Sequence, residues 1–256
     1  EAKGRCVLCK CQLRVHPQQM ALPSALCWAL AVLYVVVACP GQERLMWNPS
    51  DPSEWGPYPV GAVVGEVDVA DGWLGQRRSI TAEAWYPAVP GSEKGHRPKT
   101  YDLRDDVPPR QRRKLDDVGN ILVQRCRCFS NLSVADGEFP VLVYIHGTAG
   151  QRTASLHSQT HWASRGFVVL AADHPGIWLY DLVGVFDGRV PPKTDQAGDV
   201  RGMLRFLARG PAPGAPASEL FAKLEGHLDL GRVGVLGHSA GGFAATTLGD
   251  VADVLV

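Results

Sequence analysis

The chain of 256 residues carries no excess charge of either sign, with Lys and Arg together numbering 26 and Asp and Glu together 26. With no global field, composition argues against a nucleic-acid binder and against a strongly acidic or basic partner. Its seven cysteines hold no second CxxC, and no His pair at ligand spacing completes the cluster Cys6-Val-Leu-Cys9-Lys-Cys11, so no metal site is expected. Cys126 and Cys128 are one residue apart, a poor set for an unstrained disulfide, and each is expected to stay free or to bond elsewhere. Internal repeats are also absent, which excludes a stacked-repeat architecture. What remains is enough chain for one sizeable core, in one domain or at most two.

One local imbalance stands out between Arg97 and Arg127, where nine basic residues face five acidic ones. It reads as a solvated surface insertion. Charge is missing altogether from Ala21 to Cys39, "ALPSALCWALAVLYVVVAC", a stretch near the length of a membrane span. Met20 precedes the run, and Ala38 with Val36 two before it permits cleavage ahead of Cys39, so the first reading is a signal peptide. "VVAC" also resembles a bacterial lipobox, which would lipidate Cys39. A basic segment between Met20 and the run is missing, which counts against both of these, and by its length a membrane anchor retained through residues 21–39 is the alternative. Either way the chain is expected to be exported: periplasmic, secreted or membrane-anchored. Residues 1–39 are thus upstream residues and leader, 40–59 a Pro-rich linker, and 60–256 the folded domain.

Within that domain, "VGAVVGEVDVA" and "RSITAEAWYPA" alternate apolar and polar residues and predict an antiparallel pair, with Asp71-Gly72 at the turn. Residues 88–138 lack sustained periodicity and read as a long strap, with one short helix around Arg110 to Val118. From Pro140 onward, short continuous apolar runs alternate with helix-like segments, the pattern of strands buried on both faces of a parallel sheet. "VLVYI", "FVVLAAD" and "RVGVLG" are such strands, and "ADVLV" opens a fourth. "SLHSQTHWASR" puts Leu156, Thr160 and Ala163 on one helical face, with Gly166 as its stop. Val200, Leu204 and Leu207 recur at helical spacing, and "AGGFAATTLG" forms a last helix.

Gly237-His238-Ser239-Ala240-Gly241 fits G-x-S-x-G between a buried strand and a small-residue helix. That geometry needs a sharp turn that exposes the serine Oγ, with glycines where neighbouring chains pass too closely for a Cβ. The helix start adds unpaired N–H groups and a positive dipole end. A serine nucleophile also needs donors for an oxyanion, and the N–H groups of Ala240 and Thr148 are placed to supply them, the latter from the loop His146-Gly147-Thr148. His146, at a strand end, suits loop bracing better than the role of base. His238, an immediate neighbour of the serine, is expected to support the turn from behind.

"WYPA" at Trp85 to Ala88, "FPVLVYIHG" at Phe139 to Gly147, "ASRGFVVLAADHPG" at Ala163 to Gly176 and "LDLGRVGVLGHSAGG" at Leu228 to Gly242 together resemble the platelet-activating factor acetylhydrolase-like α/β-hydrolases. The chain is similar as well to their dienelactone-hydrolase and bacterial polyester-hydrolase relatives. The resemblance covers about residues 58–256. It implies an α/β-hydrolase fold, a mostly parallel sheet with helices on both faces, and a serine esterase or lipase acting on a small-molecule or lipid ester without a cofactor. By the same resemblance Ser239 is the nucleophile and the N–H groups of Thr148 and Ala240 form the oxyanion hole. Thr148 departs from the Leu of many relatives and implies a more polar acyl pocket.

In that superfamily the acid and then the histidine follow the serine. Beyond Ser239 stand only Asp250 and Asp253, neither where the acid loop belongs, and no histidine. The sheet is therefore expected to stop near its sixth strand, as a fragment that is inactive by itself and prone to aggregate. The other class left open is a non-catalytic, membrane-tethered binding protein on a hydrolase scaffold. For the leader, intact mass of the protein expressed from Met20 in a bacterial host is expected to show cleavage before Cys39; a species retaining residues 20–38 would establish the membrane anchor instead.

Overall fold

The computed structural model describes residues 53–69, 75, 77–211 and 218–256. The leader, most of the Pro-rich linker and the Asp71-Gly72 turn lie outside them. β1 (Val60–Val69) and β2 (Arg78–Pro87) pair antiparallel as expected, and the register runs from Val60 opposite Pro87 to Val69 opposite Arg78. The strap follows, with β3 (Thr100–Asp102), a 3-10 turn over Leu103–Asp106, α1 (Pro109–Arg112) and a 3-10 segment over Arg113–Leu122. Its last parts are β4 (Val123–Arg125) and β5 (Phe129–Ser130). The helix expected over Arg110 to Val118 is thus one α-turn continued as 3-10 structure, which breaks at Gly119, where φ is 67°.

The second half alternates strand and helix: β6 (Phe139–Ile145), α2 (Leu156–Ser164), β7 (Val168–Ala172) and α3 (Leu179–Gly184). Then come α4 (Gln196–Arg209), α5 (Glu219–Leu224), β8 (Leu228–Gly237), α6 (Ala240–Ala245) and β9 (Val254–Leu255). The Asp195 side chain caps α4 by accepting from the Gly198 N–H. The strand order is β5-β1-β2-β7-β6-β8-β9, with β7, β6, β8 and β9 parallel and β2 antiparallel to both its neighbours.

Strand periodicity divides the core into two layers. Val168, Leu170 and Ala172 of β7 join Val141, Val143 and Ile145 of β6 under α4 and α5, where Val200, Met203, Leu207, Leu220 and Leu224 are buried. The intervening Val169 and Ala171 face the other way, with Trp85 and Tyr144, and meet Leu156 and Ala163 of α2. Helices therefore cover both faces of the sheet. With its strand order and the turn after β8, this is an α/β-hydrolase fold.

The strap is fastened to the sheet through buried charge. Glu83 of β2, fully buried, takes Lys99 Nζ at 2.5 Å, the Tyr101 hydroxyl at 2.5 Å and Arg152 Nε at 3.2 Å. Arg152 also pairs with Asp173, after β7, and lies 3.7 Å from Asp106 of the strap. Burial, with the neighbouring charge of Asp173, pushes the Asp106 carboxyl up to about 6.

Contrary to the expectation from spacing, Cys126 and Cys128 form a disulfide. In extended chain, residues i and i+2 point to the same side. A bend at Arg127 brings their Cα atoms to 5.0 Å, within the range a disulfide spans. Both sulfurs are buried in the layer that holds Trp85 and Leu156. Asp250 and Asp253 have structural partners: Asp250 pairs with Arg201 at 2.8 Å, and Asp253 Oδ2 accepts the Val233 N–H at 2.9 Å. Removing the shared cation of the strap network leaves Glu83 and Asp173 buried without it. Arg152→Met is accordingly expected to lower the free energy of unfolding by about 3 kcal/mol or more, measured by urea denaturation near pH 7.

Candidate active site

β8 ends at Gly237 and α6 begins at Ala240, so the chain reverses within two residues. Ser239 takes the strain: its φ is 54° and ψ −117°, a region that residues with a Cβ avoid. It is exposed, and among the described residues its Oγ has no hydrogen-bond partner. The reversal closes only because its flanks carry no side chain. A Cβ on Gly237 would collide with the backbone of Gly241, and one on Gly241 with the carbonyls of Ile145 and His146.

His238 braces the turn through its backbone. Its N–H donates to the Ile145 carbonyl at 3.0 Å, and its carbonyl accepts the Gly241 N–H at 2.9 Å. Its side chain is exposed and lies beside Gly147, so the support expected from behind the turn comes from the peptide groups.

The loop after β6 meets this elbow. A Cβ built on Gly147 would lie 3.0 Å from the Ser239 Cβ and 3.0 Å from the His238 carbonyl, so the two loops are in van der Waals contact. Beyond Gly147 the chain turns through Ala149, at φ 58°, whose N–H donates to the Ile177 carbonyl at 2.9 Å. Gly150 accepts in turn from the Leu179 N–H at 2.9 Å. These bonds tie the loop to the segment after β7. Among the described residues no acceptor takes the N–H groups of Thr148 or Ala240. Both N–H groups are thus free, that of Ala240 directly after the exposed serine and that of Thr148 directly after Gly147, which packs against it.

His146 is fully buried beneath the loop. Its Nδ1 donates to the Gly147 carbonyl at 2.7 Å and its Nε2 accepts the His174 N–H at 3.1 Å, so both nitrogens are committed. Burial, helped by the nearby His174, pushes its pKa down to about 3 and keeps the ring neutral. The Gln196 amide donates to the His146 carbonyl at 2.8 Å.

Behind it runs a chain that sequence reasoning missed. His174 Nδ1 lies 2.9 Å from Asp199 Oδ2, and Asp199 pairs with Arg78 at 2.6 Å. The only signals were "AADHPG" and a carboxylate in the first turn of a helix, and neither foretells that residues 78, 174 and 199 meet. Among the described residues no cluster of His, Cys, Asp or Glu is arranged to hold a metal ion. No described helix is long and apolar enough to cross a membrane.

No protein-family model matches the chain, and no curated protein matches it. Solved structures similar to it include the ferulic acid esterase from Streptomyces cinnamoneus, at 22% identity and TM-score 0.49, over 78% of this chain and 57% of that one. The rice cell wall degrading esterase LipA from Xanthomonas oryzae is similar at 15% identity and TM-score 0.39, over 88% of this chain and 44% of that one. A puromycin hydrolase matches at 20% identity and TM-score 0.43, over 82% and 23%. The chain therefore spans less than two thirds of the length of each.

The neutral state of His146 has a consequence for stability. The unfolded chain protonates this imidazole near 6.5, whereas the folded protein resists until about pH 3. Below pH 6.5 the unfolded state therefore binds the extra proton, and stability falls as pH falls towards 3. His146→Asn, which does not titrate, is expected to show a flatter decline. The difference in slope should reach about 1 kcal/mol per pH unit near pH 5, read from urea melts of both proteins.

Proposed function

We propose that this site belongs to a serine carboxylic-ester hydrolase in which Ser239 is the nucleophile. The observation that carries the reading is Ser239 itself, exposed at φ 54° between β8 and α6, with the unpartnered N–H groups of Thr148 and Ala240 at hand. Its Oγ attacks the ester carbonyl carbon while the hydroxyl proton passes to a general base, and the carbonyl π electrons move to oxygen. The two N–H groups take the oxyanion. Collapse of the tetrahedral intermediate breaks the bond to the leaving alcohol, and water then releases the acid from the acyl-enzyme. His146 is not that base, since both of its nitrogens are engaged.

The finer reading is an esterase or lipase similar to platelet-activating factor acetylhydrolase, supported by Trp85 to Ala88, Phe139 to Gly147 and the elbow. The long strap between them, by its position, would help select the ester. The hydrophobic run before Cys39 supports export and anchoring at a membrane surface, where lipid esters are met. A non-catalytic scaffold is the second reading. It is favoured by one observation: among the described residues no histidine or carboxylate is hydrogen-bonded to Ser239.

The test uses the complete open reading frame that encodes this chain, with p-nitrophenyl acetate as substrate. Ser239→Ala is expected to lower kcat by about a thousandfold or more, with a folded protein by circular dichroism. Residues 1–256 alone are expected to show no appreciable turnover. A folded full-frame protein that neither hydrolyses the ester nor reacts with a fluorophosphonate at Ser239 would leave the scaffold reading in its place.

A further inference from the structure

We propose that the cleft between the strap and α2 is a binding site for a small anionic molecule, held through a phosphate or carboxylate group. The cleft encloses about 370 Å³ and is lined by Trp55, Arg125, Arg127, Ser155, His157 and Ser158, among others. That volume is in the range of sites for small ligands. It shares no lining residue with the Ser239 elbow, and the inference does not rest on the hydrolase reading.

The arginines that line the cleft lack a counter-charge there, whereas four other cations of the strap are paired. Lys99, Arg104, Arg110 and Arg112 each face a carboxylate, respectively Glu83, Asp102, Asp187 and Asp105. Arg125 and Arg127 have no such partner among the described residues, and no carboxylate lines the cleft. The Arg127 guanidinium sits over the Trp55 ring at 4.1 Å, and this ring is set by edge contacts with His157 at 5.9 Å and His161 at 5.7 Å. Stacking fixes the plane of the guanidinium and leaves its edge N–H groups free, the orientation that serves a planar or tetrahedral anion.

The opposite wall supplies further donors. α2 begins here, and Ser155 at its N-cap makes no capping bond with its side chain. Among the described residues the N–H groups of His157 and Ser158 have no acceptor. The positive end of the helix thus adds to the two arginines from across the cleft. Arginines, helix N–H groups, serine hydroxyls and an aromatic wall together make a donor-rich cleft without a counter-charge of its own. Its complement is an anion.

Isothermal titration of the full 256-residue chain in mild detergent tests this with two probes, inorganic pyrophosphate and citrate, at constant ionic strength. At least one is expected to bind with one-to-one stoichiometry and Kd below about 1 mM. Binding of pyrophosphate alone assigns a phosphate-bearing ligand; binding of citrate alone assigns a carboxylate-bearing one; binding of both assigns a general anion site. The exposed pair Arg125→Gln with Arg127→Gln is expected to weaken binding about tenfold or more, with thermal unfolding of the free protein little changed. Trp55→Leu, an independent variant, is expected to weaken it as well through loss of the guanidinium platform. Absence of saturable binding by the wild-type chain up to about 10 mM would overturn the proposal, as would unchanged affinity in a folded arginine variant. Ser239→Ala is expected to bind as the wild type does; loss of binding in that variant would place the anion at the elbow and overturn the assignment.

Discussion

The close approach of the chain after β8 to the end of β6 is the contact on which the candidate site depends. At Gly241 the backbone passes so near the Ile145 and His146 carbonyls that a methyl group has no space, and the same holds between Gly237 and Gly241. These are contacts of main chain with main chain, which side-chain rotation cannot relieve. They draw Ser239 to φ 54°, a strain of order 1–3 kcal/mol. The cost is met by the parallel pairing of β6 with β8 along Phe139 to Ile145, which holds both strand ends in place. An exposed serine is the result, followed by the free N–H of Ala240 and packed against Gly147, after which comes the free N–H of Thr148.

Two buried polar networks keep that edge in order, one on each side. Towards β2, Glu83 and Asp173 share Arg152, and Asp106, Lys99 and Tyr101 of the strap close on the same group. Burial works against the charge on Arg152, but the surrounding carboxylates outweigh it and hold the guanidinium protonated. Beneath the loop, Arg78, Asp199, His174 and His146 form a chain from an intermediate surface position to a fully buried imidazole. Each network satisfies groups that would be costly to bury singly, since an unpaired buried charge costs several kcal/mol. Together they attach the loops that border the serine to the strands of the sheet.

The anion cleft stands apart from this arrangement. Its cations lie on the strap and its helix end on α2, elements that meet over the layer holding Trp85 and the Cys126–Cys128 disulfide. The disulfide spans a single residue and so restrains little of the unfolded chain. Its local effect is to fix the bend at Arg127, the residue that stacks on Trp55. Within the basic excess between Arg97 and Arg127, four cations are paired with carboxylates, while Arg125 and Arg127 line the cleft towards α2 without one.

Much of the fold was legible in the linear pattern. Alternation in β1 and β2, continuous apolar runs in β6 and β7, and the spacing of Val200, Leu204 and Leu207 each report a local periodicity that a strand or helix imposes on its own residues. The elbow was legible for the same reason, because Gly237, Ser239 and Gly241 meet a steric demand within five residues. The helix over Arg110 to Val118 was overestimated, since polar residues there carry no face to bury and Gly119 interrupts the turn. By itself, then, the sequence determined the long strands and helices outside the strap, the serine turn and the glycines it needs, but not the short strands of the strap or the helices α3 and α5. Only the tertiary structure decided that Cys126 pairs with Cys128, that His146 is locked neutral between Gly147 and His174, and that Glu83 and Asp173 share one arginine. Those outcomes depend on bends and on burial between residues distant in the chain, and no periodicity records where a side chain will find its partner.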